Sequence, residues 1–157
     1  MERFTSVYRR LSPAIHARCR RLLGSAAAAD DACQEVFVRV YQNLDGLPSD
    51  RDVLRWAYRV SANVCISQLR KRRVTGESRR DSIDPGHGPE QLFSDKEVLE
   101  LIAKRLPLRL VEPALLHYCD GIEQSDVGKM LGVSRRTVIS RLNEFRVRAA
   151  RLVREAG

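Results

Sequence analysis

Arg55, Arg59, Asn63, Ser67 and Arg70 recur at steps of four, four, four and three, and the last opens a basic cluster, Arg70, Lys71, Arg72 and Arg73. On a helix this spacing lines the side chains along one side. Guanidinium and amide groups in such a row donate in the forked geometry that phosphate oxygens and guanine edges accept. Trp56 and Tyr58 flank the row. Aromatic rings beside a basic stripe suit a separated strand whose phosphates are gripped and whose bases stack or splay. A solvated basic face over core aromatics has the same pattern.

A second group lies near the C-terminal end. Val127, Met130 and Leu131 keep helical spacing, Gly132 supplies a left-handed stop, and Ser134 is placed to cap the next helix. That helix has Val138, Leu142, Phe145, Ala149 and Leu152 on one face, with Arg135, Arg136, Ser140, Arg141 and Arg148 on the other. A short helix, a glycine turn and a capped basic helix are what a helix-turn-helix needs to place its second helix in a major groove. An ordinary helical hairpin shares the pattern.

The elements that position these groups are all read as helices. In residues 1–23, Phe4, Val7, Leu11, Ile15, Cys19 and Leu22 form one stripe, and Pro13 predicts a break. Arg18, Arg20 and Arg21 suit a helix C-terminus. Residues 24–29 read as a connection, and a helix starts at Asp30 or Asp31, with Cys33, Val36, Phe37, Val40, Tyr41 and Leu44 as its core face. Asp31, Gln34, Glu35, Val38 and Gln42 fall outside that face. Residues 45–52 are turn-rich, and a helix runs from Val53 to about Arg73 with Val53, Ala57, Val60 and Val64 inward.

Residues 74–95 contain three Gly, two Pro and three Ser without helical periodicity, and read as a flexible linker. Ser94 and Glu97 form a capping box for a helix over 96–106, and Pro107 stops it. The expected fold is therefore all-α, two small helical domains over 1–73 and 96–157.

Composition agrees. In 157 residues there are 28 Lys/Arg against 20 Asp/Glu, net +8, with Lys only at positions 71, 96, 104 and 129. Residues 1–73 hold 14 basic against 7 acidic, net +7; residues 74–105 hold 5 against 7, net −2; residues 106–157 hold 9 against 6, net +3. Two basic blocks around an acidic stretch describe two nucleic-acid-facing domains and a connector. Cys19, Cys33, Cys65 and Cys119 show no CxxC spacing, which argues against a zinc site, and three of them sit within apolar faces and read as small buried hydrophobes. Neither a signal peptide nor an apolar run near 18 residues is present, which predicts a reduced, cytoplasmic protein without membrane insertion. There is no clustered His/Asp/Glu set, glycine-rich phosphate loop or nucleophile–base pair, so neither an enzyme nor a cofactor is expected.

With these residues in place, the chain resembles a bacterial RNA polymerase sigma factor of the extracytoplasmic function group, in the sigma-70 family. DDACQEVFVRVYQNL, residues 30–44, is similar to that family's polymerase-binding helix. WAYRVSANVCISQLRKRR, residues 56–73, resembles its promoter-melting helix, and residues 106–149 resemble its fourth-region domain.

The resemblance implies core RNA polymerase, promoter DNA and an anti-sigma factor as partners, and no small-molecule ligand. Asp31, Gln34, Glu35, Val38 and Arg39 would dock on the polymerase clamp helices. Residues 47–52, with Ser49, Asp50 and Arg51, would hold a flipped base of the minus-ten element. Arg55, Trp56, Arg59, Asn63, Arg70, Lys71, Arg72 and Arg73 would follow the separated strand. Ser134, Arg135, Arg136, Thr137, Ile139, Ser140 and Arg141 would meet the minus-thirty-five element.

Some positions depart from the family. Pro113 predicts a kink or a helix start, Glu123 a weaker cap, and Gly128, in place of the usual Ala, a cost of about 1 kcal/mol in helix propensity. Arg135, Arg136 and Ile139 imply an individual promoter preference.

Two other classes stay open on the residues alone. A sigma mimic would bind an anti-sigma factor and need neither basic surface. A free-standing helix-turn-helix repressor would leave the basic cluster and the Gln34/Glu35 face unexplained.

Overall fold

The computed structural model describes residues 1–72 and 88–156, and among them every regular element is helical. They fall into two compact units, Met1–Gln68 and Leu69–Gly157. Residues 74–87 of the expected linker, and Arg73, lie outside the described residues.

The first unit begins with α1, Glu2–Leu23, and α2, Ala26–Asn43. α1 runs unbroken through Pro13, where the sequence predicts an interruption. Proline withholds one donor and crowds the carbonyl four residues back. Here Pro13 and Arg9 are both exposed, so the disturbed carbonyl faces water. The helix ends where Gly24 turns left-handed, φ 73°, and donates to the Arg20 carbonyl.

α2 starts four residues before Asp30. Ser25 caps it, accepting from the Ala28 amide at 3.3 Å, and the alanine run supplies its first turn. Apolar periodicity hides such a start, because alanine is the strongest helix former yet marks no face.

After a 3-10 turn, Leu44–Gly46, α3 spans Asp50–Lys71. Val7, Ile15, Cys19 and Leu22 of α1, Val36, Phe37 and Val40 of α2, and Val53, Ala57 and Val64 of α3 are buried. Truncating one such side chain to alanine costs about 2–5 kcal/mol where it is Ile or Leu.

Arg18 is 3% exposed. It donates to the Tyr58 carbonyl and to Ser61 Oγ, and its guanidinium lies 5.0 Å from the Tyr58 ring centre. It ties α1 to α3 instead of serving as an exposed cation at the helix end. Cys65 Sγ donates to Cys19 Sγ at 3.7 Å, and burial pushes the Cys33 thiol up to about 11.

The second unit holds α4, Pro89–Leu92, α5, Lys96–Arg105, and α6, Leu108–Ala114. α6 widens into a π-helical turn, Leu115–Cys119, and is followed by α7, Gln124–Leu131, and α8, Arg135–Ala156. α4 and Phe93 fall inside the stretch expected as linker; Phe93 is buried and stacks on Phe145, centroids 5.8 Å apart and planes at 4°.

The cap of α5 is Asp95, not Ser94: Asp95 Oδ1 accepts from the amides of Glu97 and Val98 at 2.9 and 3.3 Å. It stands one residue nearer the orphan amides and carries a charge that suits a helix N-terminus. Pro113 is buried inside α6, and regular α geometry gives way only after Ala114, where the Asp120 amide reaches back five residues to the Leu115 carbonyl at 3.1 Å.

Glu123 begins α7 without a side-chain cap bond. Gly132 closes α7 in the left-handed region, φ 70°. Gly128 proves to be more than a weak helix former. A Cβ there would stand 2.7 Å from the Val133 carbonyl oxygen, and the Val133 amide donates to the Gly128 carbonyl at 2.9 Å. The turn folds back onto α7 at this point, which only glycine allows without movement.

Candidate nucleic-acid interface

α2 separates its two faces sharply. Ala32, Val36, Phe37 and Val40 are buried, while Asp31, Gln34, Glu35, Val38 and Arg39 are exposed. Glu35 and Arg39 pair at 2.6 Å one turn apart. Tyr41, expected in the core face, is instead 55% exposed, close to Val38 at 49%. The helix leaves room for it only at the rim, where it meets Phe4 edge-on at 5.2 Å. Tyr8 meets Phe37 edge-on at 4.9 Å. These rings, with Gln34 and Val38, border a cleft of about 680 Å³ between α1 and α2. The result is an acceptor-rich strip beside an apolar hollow, chemistry suited to a partner offering both basic and apolar side chains.

The expected base-holding loop is shorter than 47–52, because α3 already begins at Asp50. Ser49 caps it: its Oγ accepts from the Asp52 amide at 3.1 Å and donates to Asp52 Oδ2 at 2.6 Å. That bond holds the Asp52 carboxyl below the ordinary carboxylate range, and Arg10 does the same for Asp50. Asp50 and Arg51 are exposed in the first turn.

Along α3, Arg59 and Ser67 are exposed, while Arg55, Trp56 and Tyr58 are half-buried. Asn63 departs from the expected open stripe. It is half-buried, and its Oδ1 is enclosed without a hydrogen-bond partner among the described residues.

The basic cluster belongs to the second unit. Arg70 donates from Nε to the Ala103 carbonyl at 2.6 Å and from Nη2 to the Leu106 carbonyl at 3.0 Å. A cation there satisfies carbonyls that the end of α5 leaves orphaned. Arg70, which stays exposed, therefore caps the end of α5 in this structure. Lys104 Nζ donates to the Arg72 carbonyl at 2.6 Å, and Lys71 is exposed.

On α8, Ser134 Oγ accepts from the Thr137 amide at 3.1 Å, the cap the sequence predicts. Arg135, Arg136 and Ser140 are exposed, and Thr137, Ile139 and Arg141 are half-buried. Arg148 leaves this set, since it pairs with Glu144 at 3.3 Å. Glu144 also takes both arms of Arg109 from α6, each at 3.0 Å. Those bonds, Arg109 first and Arg148 after it, hold its carboxyl below the usual range.

Among the described residues no group of three or more His, Cys, Asp or Glu could hold a metal ion, and no helix is long and apolar enough to cross a membrane.

The chain is similar to known proteins over most of its length. The sigma-70 region 2 model matches residues 7–75, which takes in α2 and α3. The ECF RNA polymerase sigma factor SigW of Bacillus subtilis is 27% identical over 147 residues, covering 84% of this chain and 79% of that protein. SigM of Mycobacterium tuberculosis, also an ECF RNA polymerase sigma factor, is 25% identical over 150 residues, covering 96% of this chain and 76% of its own. SigE of Mycolicibacterium smegmatis, of the same description, is 28% identical over 135 residues, 80% of this chain and 52% of its own. The region 2 match and these relatives support placing the chain with the sigma-70 family of RNA polymerase sigma factors, in the extracytoplasmic function group.

Proposed function

We infer that this chain is an alternative-type sigma factor, which binds core RNA polymerase and directs initiation at a particular set of promoters. The observation that carries this reading is that the region 2 match, residues 7–75, spans both the exposed strip of α2 and the polar side of α3. The family consists of transcription initiation factors rather than enzymes, and the work here is binding and strand separation.

In this reading residues 1–73 form the polymerase-binding and minus-ten domain, 74–95 a connector, and 96–157 the minus-thirty-five domain. Asp31, Gln34, Glu35, Val38 and Arg39 dock on the polymerase. Ser49, Asp50 and Arg51 face a flipped base, with Arg55, Trp56, Arg59, Lys71, Arg72 and Arg73 along the strand. Asn63, with its enclosed Oδ1, offers at most its amide nitrogen to that strand. Unstacking a base costs a few kcal/mol, offset by a pocket and by phosphate contacts.

In the second domain α7, the Gly132 turn and α8 act as a helix-turn-helix, and Arg135, Arg136, Thr137, Ile139 and Ser140 approach base edges. Ser134 caps the helix and Arg141 sits nearer the backbone. The cytoplasm, where polymerase works, is its place of action, and an anti-sigma factor is its natural regulator.

In vitro transcription with core polymerase and genomic promoter fragments tests the whole reading. Initiation that depends on both proteins is the expected result. Binding to DNA without any polymerase-dependent transcript would return the choice to a repressor, and no DNA binding at all to a mimic.

A further inference from the structure

Arg3 and Arg10 stand seven residues apart and so share one side of α1. Arg3 Nη1 donates to the Leu44 carbonyl at 2.9 Å, and its Nη2 donates to the Leu47 carbonyl. The Leu44 carbonyl also accepts from the Leu47 amide at 3.1 Å, the bond that closes the 3-10 turn. One guanidinium therefore grips both carbonyls that bracket the turn. Arg10 reaches the far end of the same loop, meeting Asp50 Oδ2 at 3.0 Å at the first residue of α3. Between those holds lie residues 47–49, with Pro48 restricted in φ by its ring and Ser49 committed to the cap of α3.

These bonds have little to do with keeping α1 in place. Val7, Ile15, Cys19 and Leu22 already bury its inner face, and Arg18 ties it to α3. Arg10 and Asp50 are more than half exposed, 53% and 62%, and exposed pairs of this kind add little to stability. The two arginines fix instead the path of the loop. A loop that must accept an extruded base binds it better when its backbone is already ordered, since the ordering entropy is then not charged against binding.

We propose that Arg3 and Arg10 are positioning residues for minus-ten recognition, strapping residues 47–49 into the conformation that receives the flipped base. The proposal rests on the reading of that loop as base-holding. Arginine is required at position 3 because a lysine ammonium cannot fork to two carbonyls in one plane.

The test uses holoenzyme reconstituted from core RNA polymerase and the full chain. It is offered a DNA pool with both promoter elements randomised, and the recovered templates are sequenced. A position read by the loop carries a base preference on the order of tenfold or more. In Arg3→Met that preference is expected to fall to about twofold, while preferences at the minus-thirty-five element, core affinity and unfolding temperature stay as they were. Arg3→Lys restores only part of it. Arg10→Gln shows the same selective loss and serves as the second route should Arg3→Met not fold.

Undiminished minus-ten preference in folded Arg10→Gln and Arg3→Met proteins overturns the strap. Equal losses at both elements overturn it too, because the arginines would then support the fold in general. Replacing residues 47–49 together by glycine separates the two ideas. If that change abolishes a minus-ten preference that the arginine variants keep, the loop reads a base without a strap; if it too changes nothing, the loop reading itself falls.

Discussion

Gln34 and Glu35 are exposed on a helix whose opposite side, Ala32, Val36 and Val40, is completely buried. Their side chains can be removed without touching the core, and alanine only improves helix propensity. Gln34→Ala with Glu35→Ala should therefore weaken binding to core polymerase while the circular dichroism stays native. The loss of the Glu35–Arg39 pair costs the helix only about 0.3–0.5 kcal/mol. Unchanged affinity in a native double variant would remove this face from the docking surface. Gly128 gives the opposite kind of residue-scale prediction. Propensity alone says that Gly128→Ala stabilises a helix by about 1 kcal/mol. The new methyl would overlap the Val133 carbonyl, a backbone atom that cannot swing aside. The substitution should lower stability, by about 1–3 kcal/mol as overpacking does, and urea unfolding gives the sign directly.

At the scale of elements, periodic apolar faces were legible and boundaries were not. The inward row of α3, and that of α8 as far as Ala149, are buried as their spacing predicts, because a 3.6-residue repeat has only one way to bury its stripe. The start of α2 was displaced, since its alanine run marks no face, and the cap of α5 went to Ser94 because Ser94 and Asp95 share capping chemistry and only the path of the chain decides between them. α4 and its neighbour Phe93 were hidden because one aromatic in a Pro/Gly/Ser-rich stretch has no period; it is Phe145, 52 residues on, that explains it. Arg18 read as a surface cation, and the carbonyl bonds of the exposed Arg70 went unread, for the same reason, their partners being 40 and 33 residues away. The Arg109–Glu144–Arg148 cluster joining α6 to α8 was equally hidden, and it makes a pH prediction. Glu144 titrates lower in the folded chain than in the unfolded one. Its contribution is therefore complete above the unfolded value, about 4.3 for glutamate, and disappears as pH falls through the lower folded value. The gap in unfolding temperature between the native protein and Glu144→Gln should be constant near neutrality and shrink below about pH 4. A gap that persists unchanged into acid would mean that the charge of Glu144 does not matter.

For the whole molecule the charge partition is the informative quantity, with net +7 over residues 1–73 and +3 over 106–157. Both halves are expected on DNA, yet they differ in how their arginines are held. Arg135 and Arg136 are exposed in the first turn of a Ser134-capped helix, a rigid mount from which side chains reach base edges. Replacing Arg136 by alanine should cost about 1–3 kcal/mol on the preferred minus-thirty-five sequence and relax the preference at one position. Lys71 and Arg73 lie in an unbroken basic run whose spacing selects no base, Lys71 being exposed and Arg73 outside the described residues. Replacing either should weaken binding to matched and mismatched promoters alike and lower the slope of log affinity against log salt by roughly one unit for each phosphate no longer neutralised. Arg70 supplies the internal control. Its guanidinium is spent on the Ala103 and Leu106 carbonyls, so if that hold persists on DNA, Arg70→Ala should leave the salt slope unchanged and lower the unfolding temperature instead. The measurement is promoter binding by holoenzyme at several salt concentrations on native and mutated elements. Should Arg136→Ala weaken every sequence equally while Arg73→Ala alters base preference, readout belongs to the first half of the chain and phosphate grip to the second.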